Sequence, residues 1–388
     1  MNRTPIYLDH SATTPLAPSV LEAMLPYWTE FYGNPSSMHF HGREAARGLN
    51  QARRTIAELL NARPQEIVFT GCGSESDNLA IRGVMWAARA AGRGNHMITS
   101  AIEHEAVRET CRQLTTYFGF ASTILPVDAD GLVDPAAVAA AIRPDTALIT
   151  IMAANNEIGT VQPITAIGEI ARAHGVLFHT DAIQAAAYTA WDLATMPIDL
   201  LSLAPHKFYG PKGVGILYAR QGVTLVSALT GGGQEEGRRA GTVNVPFAVG
   251  AAEALRLAMT RREQDTAHCQ ALRDRLIGGI LAALPDDCRL TGHPTRRLPH
   301  HASFAFRHVT GNDLLLHLDV AGICASSGSA CATGNPEPSH TLQAIGLSHE
   351  WTTGGLRLTV GRQNTPADIQ YTLQTLPRIL RAIRSYHF

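Results

Sequence analysis

From about residue 66 the chain alternates short apolar runs with longer amphipathic stretches, and that alternation limits the folds open to it. Glu66-Ile-Val-Phe-Thr70, His96-Met-Ile-Thr-Ser100, Ala147-Leu-Ile-Thr-Ile-Met152, Val176-Leu-Phe-His-Thr-Asp181 and Asp199-Leu-Leu-Ser-Leu203 each read as a strand. Between them the pattern predicts helices: one entered through the tight turn Gly71-Cys-Gly-Ser74 and running to about Ala91, one from about His104, and one from Pro163 to His174. Strands separated by helices need right-handed crossovers, which produce a largely parallel sheet covered on both faces. The expected class is α/β. In such a sheet ligands bind beyond the carboxyl ends of the strands, so the residues just after each strand are the place to look for function.

After Gly250 the texture changes. A long arginine-rich helical stretch runs from Ala251 to about Leu284 and breaks at Pro285. Ala302-Ser-Phe-Ala-Phe-Arg307 alternates like a half-buried strand, Asn312 to Val320 reads as a helix, and a last helix covers Pro366 to about Ser385. This part reads as a second, α+β-like domain, in keeping with a length of 388 residues.

Thirty-two residues are basic, yet only two of them, Lys207 and Lys212, are lysines, both inside Ser202-Leu-Ala-Pro-His-Lys-Phe-Tyr-Gly-Pro-Lys-Gly213. A guanidinium serves for surface charge and anion clamps, whereas an imine with an aldehyde needs an amine that can lose its proton. An arginine-biased composition explains the count equally well. The neighbourhood favours chemistry. The formal net charge is −1 and 17% of residues are charged, which argues against a nucleic-acid binder or a polybasic membrane-surface protein. The stretch Met1 to His10 has no apolar signal core and no run reaches the length of a membrane span, so a soluble, cytoplasmic protein is expected. Cys72, Cys111, Cys269, Cys288, Cys324 and Cys331 are widely spread with no Cys-x-x-Cys pair, which points to neither a zinc site nor a disulfide framework.

The strand exits supply Gly73-Ser74, His104, Asn155-Asn156, Asp181 with Gln184, and His206-Lys207. A small turn feeding a helix N-terminus presents N–H groups and a hydroxyl to a phosphate, although a serine there is also a plain N-cap. An aspartate at a strand end suits a protonated ring nitrogen, and an imidazole suits a flat ring and proton transfer. Taken alone, Asp181 reads equally as a helix cap and His104 as a satisfied buried histidine.

Together with Tyr7-Leu-Asp-His-Ser-Ala-Thr-Thr-Pro15, Gly33-Asn-Pro-Ser-Ser37 with His39 and Gly42, Ser74-Glu-Ser-Asp-Asn78, Asn155-Asn-Glu-Ile-Gly159, Gly231-Gly-Gly-Gln-Glu235 and Ser326-Ser-Gly-Ser-Ala-Cys331, these segments resemble a NifS/IscS-type cysteine desulfurase. The likeness runs from Tyr7 to about Arg362 with order and spacing kept. It implies a fold-type I, pyridoxal-phosphate-dependent transferase: a large domain over 16–258 with a mostly parallel seven-stranded sheet, and a smaller α+β domain from 1–15 and 259–388. The smaller domain would carry a mobile cysteine loop at about 324–339. By the same resemblance Lys207 bears the cofactor, Asp181 pairs the pyridine nitrogen, and His104 stacks on the ring and moves protons. Gln184 and Asn156 contact the ring oxygen or the substrate side. Gly73, Ser74, His206 and, across a dimer interface, Thr242 hold the phosphate, and Arg357 clamps the substrate carboxylate. Cys331 takes sulfur from L-cysteine as a persulfide, leaving alanine, and hands it to an acceptor protein such as an iron–sulfur scaffold or a thiolation enzyme. A homodimer is expected, with no nucleic acid, membrane or metal involved.

Lys212 is expected to support its loop, Arg362 to be structural as readily as functional, Cys324 to lie in the core, and His300-His301 to be a solvated strand start. His39-Phe-His41 lacks a third metal ligand. Ala204 departs from the pattern, since the family has there a serine that bonds the phosphate; the loss of that bond costs about 1 kcal/mol. Another pyridoxal-phosphate lyase or transaminase of the same fold, or an inactive scaffold that docks partners in a sulfur pathway, are the alternatives.

Overall fold

A computed structural model describes residues 4–327 and 338–386. In chain order its strands are β1 (Ile6–Tyr7), β2 (Ile67–Thr70), β3 (His96–Ser100), β4 (Ala121–Leu125), β5 (Thr146–Thr150), β6 (Leu177–Asp181), β7 (Leu200–Leu203), β8 (Gly215–Ala219), β9 (Cys288–Leu290), β10 (His301–Phe306), β11 (Ile323–Cys324) and β12 (Gly355–Thr359).

The main sheet has seven strands in the order β2-β8-β7-β6-β5-β3-β4. Strands β3 to β7 run parallel to their neighbours, and β8 lies antiparallel between β2 and β7. The sequence pattern omits β4 and β8. Side chains on one strand point alternately to opposite faces. Accordingly Ile67 and Phe69 join Ile98, Ile149, Phe178, Leu201 and Ile216 in one core, while Val68 joins Met97, Leu148, Leu200 and Leu217 in another. Burial on both faces is why these strands read as continuous apolar runs. The helix Gly73–Ala90 covers the second face through Leu79, Val84 and Met85.

A smaller antiparallel sheet places β10 between β9 and β12, and β1 pairs in parallel with β11. Every residue of β10 is buried, so the half-buried alternation expected there is corrected: a central strand packed on both sides leaves no wet face. The helix Val245–Ala283 spans both cores. Asn244 caps it, its side chain accepting from the Phe247 N–H at 3.1 Å, and Pro246 in the first turn gives up no needed donor. Val245, Ala248, Ala251, Leu255 and Ala258 pack with the seven-stranded sheet, whereas Cys269, Leu272, Leu276 and Ile280 pack with the smaller one. It starts six residues before the Ala251 read from the sequence.

After β1 the chain leaves its pairing with β11 and crosses to the end of β7. The Leu8 N–H still donates to Cys324 O at 2.8 Å, but the Thr14 N–H donates to His206 O at 2.9 Å. This strap, residues 8–14, brings the two sheets' loops to one cleft.

Candidate active site

Each sequence-read residue on the main sheet stands at its carboxyl edge. Asp181 ends β6; it is buried, and its Oδ1 accepts the Ile183 N–H at 2.9 Å. Burial pushes its carboxyl up, opposed by the nearby His104 and Lys207. Lys207 follows β7 in a single 3-10 turn opened by Pro205. Its Nζ donates to Ser11 O at 2.6 Å and Ala12 O at 2.8 Å, both in the strap. Burial lowers this amine to about 8, helped by Arg357 and opposed by Asp9 and Asp181. A mostly buried amine whose proton is loosened this far is a nucleophile in waiting. Tyr209, two residues on, holds φ at 67°, a left-handed backbone fixed by the Thr14 hydroxyl accepting its N–H at 2.6 Å and by its own hydroxyl accepting the Arg362 N–H at 2.8 Å.

His104 caps the helix Glu105–Phe118 and is exposed, its Nδ1 accepting the Ala106 N–H at 3.1 Å. Beneath it Glu103 is buried, receiving the Ser100 hydroxyl at 2.5 Å and the Met152 N–H at 3.1 Å, and burial pushes its carboxyl up to about 8. Gln184 donates to Ser11 O at 2.9 Å, and His206 lies 3.2 Å from the Thr13 hydroxyl. Ser74 is exposed in the first turn of its helix and lines a cleft of about 350 Å³ with Glu75, Asn78, Arg82, Arg238 and Arg239. Thr242 is exposed, three residues past the Arg239 that binds Glu75 at 2.7 Å.

The facing wall comes from the smaller sheet and the strap. Arg357, in β12, donates through Nη1 to Asn156 O at 3.0 Å and through Nη2 to Asp9 Oδ1 at 2.9 Å. Asn155 shapes the turn that presents that carbonyl: its Oδ1 accepts the N–H groups of Glu157 and Ile158, and its Nδ2 donates to Ile102 O. His301 Nε2 is also 3.1 Å from Asn156 O. Gly159 makes room for this ring, because a Cβ there would stand 2.7 Å from it and φ is +79°. His300 stacks on Tyr188 with ring centroids 4.7 Å apart and reaches the Ser11 hydroxyl at 3.1 Å. The solvated strand start expected at His300-His301 is thus corrected: both rings are buried where the strap meets β10.

Cys331 and most of its loop lie outside the described residues. Cys324 is half-buried on the short β11, not in the core, because among the described residues its strand is an edge paired with β1 alone. Lys212 is exposed. Arg362 binds Asp265 of the long helix at 2.6 Å and stacks over Tyr209. His39 caps the helix Phe40–Leu59 and His41 stacks on Tyr32.

The chain matches the aminotransferase class-V family model over residues 6–372. It belongs to that family. A cysteine desulfurase IscS of Methanosarcina thermophila is 49% identical over 380 residues, covering 98% of this chain and 93% of the relative. Among solved structures, a NifS-like protein superposes with a TM-score of 0.91 at 35% identity, over 98% of this chain and 100% of that one. SspA in complex with cysteine gives a TM-score of 0.80 at 37% identity, over 93% and 100%.

Class-V members of this type depend on pyridoxal phosphate, and the residues present fit it. The Lys207 amine would hold the aldehyde, and the buried Asp181 carboxyl would hold the ring nitrogen, whose positive charge would favour the anion that burial disfavours. The N-terminus of an 18-residue helix, Gly73 and Ser74, would hold the phosphate; it lies against Ile183 and Ala204, on the loops that follow Asp181 and precede Lys207. A Cβ on Gly73 would lie 2.4 Å from Ile183 Cδ1 and 3.1 Å from the Ala204 methyl, so this cradle is built close. Ala204 is buried and offers only that methyl, where the sequence resemblance implies a hydroxyl.

Proposed function

We propose that this protein is a pyridoxal-phosphate-dependent L-cysteine desulfurase that works as a cytoplasmic homodimer. The observation that carries the reading is the half-buried Lys207 amine, held by the Ser11 and Ala12 carbonyls and lowered by desolvation to about 8, in a chain like cysteine desulfurases over 98% of its length. The cofactor, when bound, supplies the electron sink that lets an amino acid lose its Cα proton. Lys207 anchors it and moves the proton at the substrate Cα. Asp181 holds the ring nitrogen, His104 lies over the ring and shares in proton transfer, and Gln184 and Asn156 serve the ring oxygen and substrate side. Gly73, Ser74 and His206 grip the phosphate, joined by Thr242 from across the dimer. Arg357 clamps the substrate α-carboxylate. The Cys331 thiolate attacks the sulfur of the bound cysteine; the carbon–sulfur bond breaks, a persulfide stays on Cys331, and alanine leaves after a proton returns to carbon.

The homodimer reading is supported by an exposed apolar strip, Leu21, Leu25, Trp28, Tyr32 and Phe40, and by the exposure of Thr242. We read 16–258 as the cofactor domain, with 1–15 and 259–388 as the smaller domain that carries the cysteine loop of about 324–339. The acceptor is a protein, an iron–sulfur scaffold or a thiolation enzyme.

The test is mass spectrometry of Cys331 after the cofactor-loaded enzyme meets L-cysteine. One added sulfur is expected, and Cys331→Ala should cut alanine release at least about a hundredfold. Turnover of cysteine that ignores Cys331→Ala would instead mark another lyase or a transaminase of this fold.

A further inference from the structure

The strap motif Tyr7 to Pro15 contains one charged residue, and it points at the substrate clamp. Asp9 receives Arg357 Nη2 at 2.9 Å, with the two side chains only 17% and 9% exposed. Its backbone is fixed on both sides: it bridges to Thr359 of β12, and its carbonyl accepts the Ala12 N–H at 3.0 Å. Within that same turn the Ser11 and Ala12 carbonyls hold the Lys207 amine. Asp9 and Arg357 thus stand on opposite sides of one charge balance at Lys207, the aspartate favouring the cationic amine and the arginine opposing it. Among the described residues the guanidinium Nε is buried without a hydrogen-bond partner.

We propose that Asp9 is a specificity-determining residue, which with Arg357 forms a receptor for a zwitterionic α-amino acid and disfavours carboxylates that lack an amine. A guanidinium standing alone binds any carboxylate. Here the fork already holds an internal anion at Nη2. A plain carboxylate must compete with Asp9 and then sits as a second anion beside it in a partly buried place, where screening is weak. An α-amino acid brings its own cation. Its carboxylate takes the guanidinium while its ammonium approaches the place of the Lys207 amine, held by the Ser11 and Ala12 carbonyls one turn of chain from Asp9, where the aspartate favours a cation.

The inference rests on reading Arg357 as the α-carboxylate clamp. Calorimetric titration of the cofactor-loaded enzyme with L-alanine and with propionate, which is alanine without its amine, tests both. Asp9→Asn keeps an oxygen for Nη2 and removes the charge. It should tighten propionate about tenfold and weaken L-alanine about tenfold, the order expected for one partly screened contact charge. The inference is overturned if the two ligands move together or if neither moves. Should the asparagine protein not fold, Asp9→Ser carries the same expected signs. Arg357→Gln separates the clamp from its regulator by weakening both ligands at least about tenfold. If it leaves both unchanged, the clamp reading fails and takes the Asp9 inference with it; if it weakens both while Asp9→Asn moves neither, only the inference falls.

Discussion

The two walls of the cleft treat charge in opposite ways. On the main-sheet wall three ionisable groups are held by neutral hydrogen-bond partners: Lys207 on two carbonyls, Asp181 on one N–H, Glu103 on a hydroxyl and an N–H. On the facing wall the charge is paired, Arg357 with Asp9 and with the Asn156 carbonyl. Desolvation without a counter-charge moves a pKa, and pairing restrains it. In the proposed function the main-sheet wall reacts and the facing wall recognises.

The comparison breaks most visibly at Lys207. Lys207→Arg keeps a cation where the sheet wall needs an amine, and persulfide formation should fall at least about a thousandfold while cofactor absorbance changes because no covalent link forms. Residual turnover near the parent rate would move the chemistry elsewhere. A second test concerns the unpaired amine itself. The rate at which cofactor-free enzyme takes up pyridoxal phosphate should rise with pH through a midpoint near 8, the lowered value of Lys207, rather than near the ordinary 10.5. A midpoint near the ordinary value would mean the amine is not desolvated as described.

The smallest effect belongs to Glu103. Its folded pKa, about 8, lies above the ordinary 4.5, so between these values the folded state holds a proton that the unfolded chain has released. Stability then falls as pH rises through that window and levels off above about 8. Glu103→Gln should flatten this slope, raising the thermal midpoint by a few degrees at the alkaline end. An unchanged slope would show that Glu103 ionises freely in the fold.

The same contrast explains what the sequence made legible. Asp181, His104, Asn156 and Lys207 follow directly on apolar runs whose period marks the strand ends, so a rule about parallel sheets locates them without any contact being known. Asp9, His300 and His301 carry no such marker. They meet only because β1 pairs with β11 and the strap then crosses to β7, a junction of segments some three hundred residues apart. A His-His pair before an alternating strand looks wet unless the packing of the strap over it is known. Asp9 was visible in its motif, but its hold on Arg357 is a tertiary fact. Strands β4 and β8 escaped for local reasons: β4 is partly exposed at the sheet's edge, and β8 follows directly on the glycine-rich turn after Lys212.

The helix Val245–Ala283 belongs to both cores at once. Thirty-nine residues of continuous backbone hydrogen bonding have no loose joint at which one half can melt while the other stays ordered. Loss of either core strips the apolar support from half of this rod and frays the remainder, since a helix draws most of its stability from what it packs against. The seven-stranded and three-stranded sheets are accordingly expected to unfold together, so that damage to one wall would be felt as lost order at the other.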